Sequence, residues 1–254
     1  MPPSWRAPEV TLAPPLREGD LELAAHFGVQ VATERDPTVW QLTRTAHRMK
    51  LCSPAGPEAM AIELDLRSGP LARRLRSSRR DEPLPRAIGL TRGQVSLTVV
   101  DATAGLCRDA MVLAHLGCRV TAIERIPALA FLAHDAASIS AFAGHLEVLA
   151  TDSTAWLGIL SGAAAPEVVY LDPMFATAGR AQVKKEMQVC RALAGAAEDT
   201  AALFAAARAV ARERVVVKRH HDLPPLADGV AFSVAGERVR FDVYLSPTDP
   251  ARRP

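Results

Sequence analysis

From Val95 onward, short runs of β-branched and apolar residues alternate with longer segments of helical composition. The runs LTVV, EVVYL and RVVV are almost unbroken in hydrophobicity, which is typical of strands buried on both faces. Between them lie CRDAMVLAHLG and an alanine-rich stretch from Pro127 to about Phe142, both long enough to be helices. Strands joined by helices of this length form βαβ units, so the pattern predicts a parallel sheet with helices on both faces.

Two more strands, CRVTAIER and HLEVLATDS, and a helix around residues 200–212 extend this pattern. The chain closes with GVAFSVAGERVRFDVYLS, which predicts a hairpin around residues 235–237. We therefore predict an α/β fold for residues 95–254, with a doubly wound, mostly parallel, seven-stranded Rossmann-like sheet that carries one antiparallel strand. Ligands of such sheets bind beyond the carboxyl ends of the strands, so the residues that follow each strand are the candidates for function.

Residues 1–94 have a different character and predict a small β-containing region. VWQLTR and MAIELDL have the alternating pattern of short strands. Residues 73–92 hold seven arginines against Asp81 and Glu82, and Pro83 and Pro85 interrupt the stretch. We interpret this arginine-rich stretch as a linker or an exposed loop.

Composition excludes several classes of protein. The 254 residues are 49% hydrophobic, enough for a real core, and 30 Lys plus Arg nearly balance 28 Asp plus Glu. The four cysteines form no CxxC pair, which argues against a disulfide framework and a structural zinc site. The start PPSWRAPEV lacks the pattern of a signal peptide, and charged residues interrupt the most apolar tracts. These features predict a soluble protein of the cytoplasm without a bound metal.

The loop after the first strand, DATAGLCRDA, is made of small residues that let the backbone pass close to a ligand. Asp101 ends the strand, and Gly105 is the only glycine, so the loop does not match the GxGxxG pattern of dinucleotide sites. An ordinary tight turn and a cofactor loop explain the stretch about equally well. Arg108 and Asp109 favour the cofactor loop, because a cation and an anion at the start of a helix suit a zwitterionic amino acid.

Acidic residues also follow the second and third strands. Glu124, with Arg125 behind it, lies about twenty residues after the small-residue loop, where carboxylates bind ribose hydroxyls in nucleoside-binding sheets. Asp152 and Ser153 follow the third strand. Asp152 suits an adenine amine and equally suits the N-cap of the next helix, and the two roles are compatible.

The fourth strand runs into LDPMF, beside the predicted switch point of the sheet. The carboxylate of Asp172 and the carbonyl of Pro173 are two acceptors, and Phe175 offers a face on which a planar ring can stack. Two acceptors that hold the hydrogens of an exocyclic amine aim its lone pair at an electrophile, and such positioning supplies much of the rate. A plain proline turn is the weaker interpretation at this place.

These residues together resemble the class I S-adenosylmethionine-dependent methyltransferases, and DPMF resembles their (N/D)PP(F/Y) motif for amine substrates. VDATAGLCRDAMVLAHLGCRVTAIER, VVYLDPMF, VKKEM, RVVVKR and RFDVYL are similar to blocks of the bacterial small-subunit ribosomal RNA guanine-N2 methyltransferases, over residues 95–246. The resemblance implies S-adenosylmethionine as cofactor and an aromatic amine as methyl acceptor. Two positions depart from the family, Cys107 where glycine is expected and Asp152 where serine is frequent. The implied cofactor contacts are Arg108, Asp109, Glu124, Arg125, Asp152, Ser153 and Asp172.

The resemblance further implies direct methyl transfer to N2 of a guanine held by Asp172, Pro173 and Phe175, in small-subunit ribosomal RNA or the assembled small subunit, with no metal. Basic residues near the strand ends are candidates for RNA phosphates. They are Lys184, Lys185, Lys218 and Arg219, with His220, His221 and the arginine-rich stretch as further candidates.

Three other functions use the same sheet. A dinucleotide oxidoreductase requires a glycine-rich first loop, which ATAGLC is not. A non-catalytic RNA-binding relative predicts the loss of Glu124, Asp172 or Phe175, and all three are present. A DNA or protein amine methyltransferase stays open as the main alternative, because DPMF recognises an amino group and not the molecule that carries it.

Overall fold

A computed structural model describes residues 8–46, 48–90, 96–138, 142, 144–173, 185–194 and 199–246, without the side chains of residues 185–187. The strands are β1 (Val10–Ala13), β2 (Gln30–Val31), β3 (Trp40–Arg44), β4 (Met49–Cys52), β5 (Ala61–Glu63), β6 (Thr98–Asp101), β7 (Arg119–Ile123), β8 (Leu146–Leu149), β9 (Val168–Leu171), β10 (Arg214–His220), β11 (Phe232–Ala235) and β12 (Val239–Leu245). The helices are α1 (Asp20–Phe27), α2 (Gly69–Ser77), α3 (Pro83–Ile88), α4 (Arg108–His115), α5 (Pro127–Ser138), α6 (Ser153–Gly158), α7 (Lys185–Leu193) and α8 (Thr200–Val210), with a 3₁₀ turn at Gly162–Ala164.

The larger sheet confirms the predicted fold. Its seven strands lie in the order β11-β12-β10-β9-β6-β7-β8, and β12 is antiparallel to both of its neighbours. The chain leaves β6 through β7 and β8 on one side and returns to β9 and β10 on the other. The topological switch point therefore lies between β6 and β9, where a crevice opens beyond the strand ends.

Side chains of this sheet alternate between two hydrophobic clusters, because successive residues of a strand point to opposite faces. Val99 and Val168 pack into the larger cluster with α4 and α5. Val100 and Val169 pack into the smaller cluster with α6 and α8. Burial on both faces explains why these strands are apolar at every position.

A second sheet, in the order β2-β1-β3-β4-β5, is formed by residues 10–63. The two predicted strands are present as β3 and β5, whereas β1, β2 and β4 were not predicted. This sheet shares the larger hydrophobic cluster with α4 and α5. The boundary near residue 94 stays a prediction, since residues 91–95 are outside the described ranges.

The prediction of a linker or an exposed loop in the arginine-rich stretch is wrong. Residues 69–88 contain α2 and α3, which bury Leu71, Leu75, Leu84 and Ile88. Leucines four residues apart give α2 an apolar face, and its arginines occupy the remaining positions. The prolines fall in the first turn of α3, where their missing N–H groups do not break the helix.

The second sheet is joined to the larger one by buried ion pairs as well as by apolar contacts. Arg44 on β3 pairs with Asp20 on α1 and with Asp135 on α5, whose second oxygen accepts the Met49 N–H at 3.1 Å. All three charged side chains are almost fully buried. Arg44 therefore links the second sheet directly to a helix that packs on the Rossmann-like sheet.

No helix among the described residues is both long and apolar enough to cross a membrane.

Candidate active site

The carboxyl ends of β6, β9 and β10 bring three charged residues together at the switch point. Parallel pairing sets Asp101 beside Tyr170 and sets Leu171 beside Val217. Asp172 and Lys218 are the next residues along their strands, so this register makes them neighbours. Lys218 was predicted as an RNA contact, and the strand pairing instead directs it into this crevice.

The ammonium group of Lys218 lies between two carboxylates. Its Nζ donates to Oδ2 of Asp172 at 2.8 Å and to Oδ2 of Asp109 at 2.9 Å. The same Asp109 oxygen accepts the hydroxyl of Tyr170 at 2.7 Å. The Asp172 side chain stays 40% exposed, so the carboxylate can still reach a substrate. The site thus contains one carboxylate that is both fixed in place and accessible.

Burial and mutual repulsion set the charges of this cluster. Burial raises the pKa of Asp101 well above its ordinary value, and the charge of Asp109 raises it further. Burial also raises the pKa of Asp172, although the charge of Lys218 opposes this shift. For Asp109 the attraction of Lys218 and the Tyr170 hydroxyl outweigh burial, and its pKa is lowered. The two carboxylates likewise outweigh burial at Lys218 and raise its pKa, so it stays protonated.

The backbone at the end of β9 is fixed by the first loop. The Asp172 N–H donates to the hydroxyl of Thr103 at 2.6 Å, and the Ala102 N–H donates to the Tyr170 carbonyl at 3.0 Å. Pro173, the next residue in the sequence, is buried. Phe175, the third predicted catalytic residue, lies outside the described residues, so its stacking role stays a prediction.

The small-residue loop is held by the acid at the end of β7. Glu124 accepts the Gly105 N–H at 2.8 Å with one oxygen and the Ile126 N–H at 2.7 Å with the other. Gly105 has a φ of +52°, and a β-carbon there would meet open space. A carboxylate at the end of a strand, next to the loop that follows the first strand of the sheet, is where nucleoside-binding sheets hold ribose hydroxyls. This geometry fits the ribose of S-adenosylmethionine.

Asp152 and Ser153 are at the start of α6. Asp152 caps the helix by accepting the Ala155 N–H at 2.8 Å, as one of its two predicted roles requires, and it remains exposed. Ser153 is buried, and its hydroxyl donates to the Ala102 carbonyl at 2.6 Å. Ser153 therefore fixes the backbone of the loop that follows β6. Because Ser153 is buried and Asp152 is exposed, Asp152 is the member of the pair that can face an adenine.

The remaining predicted cofactor residues flank the loop. Arg108 and Asp109 open α4, directly after Cys107, whose φ of +54° is left-handed. This conformation explains why glycine was expected at that position. Arg125 is exposed, and its guanidinium donates to the Ala194 carbonyl at 2.6 Å.

The predicted RNA contacts have different outcomes. Arg219 is only 6% exposed and donates two hydrogen bonds to the Pro224 carbonyl, so its predicted contact with RNA phosphates is wrong. Lys184 and the side chain of Lys185 lie outside the described residues, and their roles stay predictions. His220 and His221 are exposed. The described part of the chain contains no group of three or more His, Cys, Asp or Glu side chains arranged to hold a metal ion.

Three members of the site had no role in the sequence interpretation. Tyr170 was assigned only to a buried strand, and Thr103 only to a series of small residues. Arg74 belonged to the supposed linker, but α2 packs against α4 and the charge of Arg74 helps to lower the pKa of Asp109. A polar residue within an apolar strand, as Tyr170 is, was the one signal available in the sequence.

Comparison with known proteins agrees with this geometry. A family model described as "Putative SAM-dependent methyltransferase" matches residues 22–246. The ribosomal RNA small subunit methyltransferase J of Thioalkalivibrio sulfidiphilus is 39% identical over 241 residues, which cover 91% of this chain and 94% of the relative. The enzyme of the same name from Alkalilimnicola ehrlichii is 46% identical over 195 residues, covering 72% and 74% of the two chains.

A solved structure extends the likeness to the whole chain. The crystal structure of a SAM-dependent methyltransferase from Neisseria gonorrhoeae superposes with a TM-score of 0.73 at 27% identity, covering 97% of this chain and 99% of that one. The match therefore includes the second sheet as well as the Rossmann-like sheet. The chain belongs to the S-adenosylmethionine-dependent methyltransferases, in the family of its relatives named ribosomal RNA small subunit methyltransferase J.

Proposed function

We propose that this enzyme transfers a methyl group from S-adenosylmethionine to the N2 amine of a guanine in small-subunit ribosomal RNA. The observation that carries the proposal is Asp172, whose backbone N–H is held by Thr103 and whose carboxylate is held by Lys218 yet open to the crevice at the switch point. The printed names of the relatives support the RNA substrate. A cytoplasmic location follows from a ribosomal substrate.

In the proposed mechanism the protein positions the guanine amine. Asp172 and the carbonyl of Pro173 accept its two hydrogens, and Phe175 stacks on the base. The nitrogen lone pair is then directed away from both acceptors toward the cofactor. Bound S-adenosylmethionine supplies a methyl group on a positively charged sulfur, which is already activated for transfer. As the new C–N bond forms and the C–S bond breaks, the amine releases one proton through the Asp172 carboxylate to water. Alignment of the two reactants accounts for most of the acceleration in such a reaction.

The residues of the first loop and the strand ends hold the cofactor in this proposal. Glu124 accepts the ribose hydroxyls, and Asp152 accepts the adenine amine. Arg108 and Asp109 face the carboxylate and ammonium groups of the methionine portion. Each assignment uses a charge-assisted hydrogen bond, which is shorter and about twice as strong as a neutral one.

The RNA is held by arginines of α2 in addition to Lys184 and Lys185. Arg73 and Arg76 are exposed on α2, which packs on α4 and so lies beside Asp109. A guanine must be splayed out of its RNA to enter the crevice, at a cost of a few kcal/mol. Phosphate contacts on both sides of the base offset that cost.

The test uses methyl-labelled S-adenosylmethionine and small ribosomal subunits from cells that lack the activity. We expect label in N2-methylguanosine after digestion and mass spectrometry, and its loss with Asp172→Ala while cofactor affinity persists. The matched control is Asp222→Ala, which removes an aspartate whose side chain is 86% exposed. Label in DNA or protein amines, with none in RNA, would overturn the substrate assignment but not the chemistry.

A further inference from the structure

We propose that Lys218 is a positioning residue for methyl transfer: it orients the Asp172 carboxylate and keeps it ionised. The inference rests on the proposed function, because it assumes that Asp172 accepts a hydrogen of the guanine amine. It also replaces the phosphate contact that the sequence suggested for Lys218. Within the described residues, both recorded hydrogen bonds of the Lys218 ammonium go to carboxylates of the crevice.

The two oxygens of the Asp172 carboxylate differ in their hydrogen bonds. Oδ2 accepts the ammonium hydrogen of Lys218 at 2.8 Å, and the backbone N–H of Asp172 is fixed by Thr103. Among the described residues no hydrogen bond to Oδ1 is recorded, so this oxygen is left to accept a substrate N–H. One anchored oxygen and one available oxygen define the direction from which the amine is held.

Titratable groups from three elements face Asp172. Asp109 on α4 adds negative charge that raises the pKa of Asp172, and its Oδ2 already accepts the Tyr170 hydroxyl. Asp101 ends β6, and burial and Asp109 raise its own pKa. Lys218 is the cation in direct contact with Asp172, and Arg74 on α2 acts on Asp109. Without Lys218, burial and the neighbouring carboxylates would raise the pKa of Asp172 further. A protonated acid presents a donor where the amine requires an acceptor.

The direction of the pH effect follows from this argument. Methylation requires ionised Asp172, so activity is lost as the pH falls through the pKa of Asp172. Removal of the Lys218 charge raises that pKa and moves the acid limb of the rate profile to higher pH. A lysine that only stabilises the fold would lower the amount of active enzyme without moving this limb.

The experiment compares Lys218→Met and Lys218→Arg with the wild type and with Lys50→Met, which changes a partly exposed lysine of β4 in the second sheet. Single-turnover methylation of small subunits is followed from pH 5.5 to 9, with the cofactor Kd and the RNA concentration dependence. We expect Lys218→Met to lose about 100-fold in rate at pH 7, the size of effect seen when one preorganised electrostatic contact is removed. The acid limb of its rate profile should move to higher pH. The concentration of RNA substrate that gives half of the maximal rate should change by less than about threefold.

Lys218→Arg keeps the positive charge but changes the geometry, so it should be slower with its acid limb at the wild-type position. This variant keeps the proposal testable if Lys218→Met does not fold, and a shifted limb in Lys218→Arg would overturn it. An unchanged rate in Lys218→Met, or a loss confined to RNA affinity, would also overturn it, the latter in favour of a phosphate contact. If the wild type itself makes no N2-methylguanosine, the proposed function fails instead.

Discussion

Lys218 and Asp172 are 46 residues apart in the sequence, yet the Lys218 ammonium lies 2.8 Å from the Asp172 carboxylate. The parallel pairing of Val217 with Leu171 creates this contact, because each residue is followed directly by one member of the pair. Asp109 joins them from the start of α4. The Lys218 ammonium therefore bonds one carboxylate at the start of a helix and one at the end of a strand. The contact makes the end of β9 a rigid acceptor and not simply a solvated turn.

Replacement of Glu124 by glutamine should weaken cofactor binding. The amide has only one oxygen, so it cannot hold both Gly105 and Ile126 and still accept ribose hydroxyls as a carboxylate does. Loss of one charged hydrogen bond corresponds to about 1.5–3 kcal/mol, or roughly 10- to 100-fold in Kd. Isothermal titration with S-adenosylmethionine measures this, with Glu147→Gln on the exposed face of β8 as control. Equal affinities of the two variants would refute the ribose assignment.

Removal of two charges from α2 should weaken RNA binding without affecting the cofactor. In Arg73→Ala/Arg76→Ala we expect a higher Kd for RNA and a salt dependence reduced by about one to two units in the slope of log K against log salt. Filter binding at several salt concentrations provides both quantities. The matched pair Arg119→Ala/Arg212→Ala removes two exposed arginines near the opposite ends of the strands. The same loss of slope in both pairs would mean that RNA contacts are not localised on α2.

Arg44→Met should destabilise the protein strongly. The substitution leaves Asp20 and Asp135 buried without their cation, a situation that typically costs about 3–5 kcal/mol. Arg48→Met is the control, because Arg48 pairs with Glu63 and Asp65 near the surface, where a pair contributes about 1 kcal/mol or less. Denaturant unfolding measures both variants. A loss no larger for Arg44→Met than for Arg48→Met would contradict the role assigned to the buried triad.

The buried cysteines should resist alkylation in the native protein. Burial raises the pKa of Cys107 well above its ordinary value and that of Cys118 to about 11, so both remain thiols at pH 8, where a thiolate is the reactive form. Iodoacetamide treatment followed by peptide mass spectrometry should label Cys52, which is partly exposed, before either of them. Unfolding in guanidinium should make all three reactive. Rapid native labelling of Cys107 would show that the loop before α4 opens readily.

The Rossmann-like sheet and most of the residues at its ligand-binding edge could be predicted from the order of the amino acids. Strands buried on both faces must be apolar throughout, and helices must separate parallel strands, so both leave a local and readable pattern. Polar residues at the strand ends, such as Asp101, Glu124, Asp152 and Asp172, were found for the same reason. Their chain positions are local facts, and the parallel arrangement brings them to one edge.

Which of these residues contact each other became evident from the three-dimensional fold. Tyr170 and Thr103 join the site through pairing between distant strands, and Lys218 turns from a supposed RNA contact into the partner of Asp172. Arg219, the next residue, points to the other face and is buried. Likewise α2 and α3 become ordered because their leucines pack against the larger core. Contacts of this kind depend on register and on long-range packing, and no local pattern of residues records either of them.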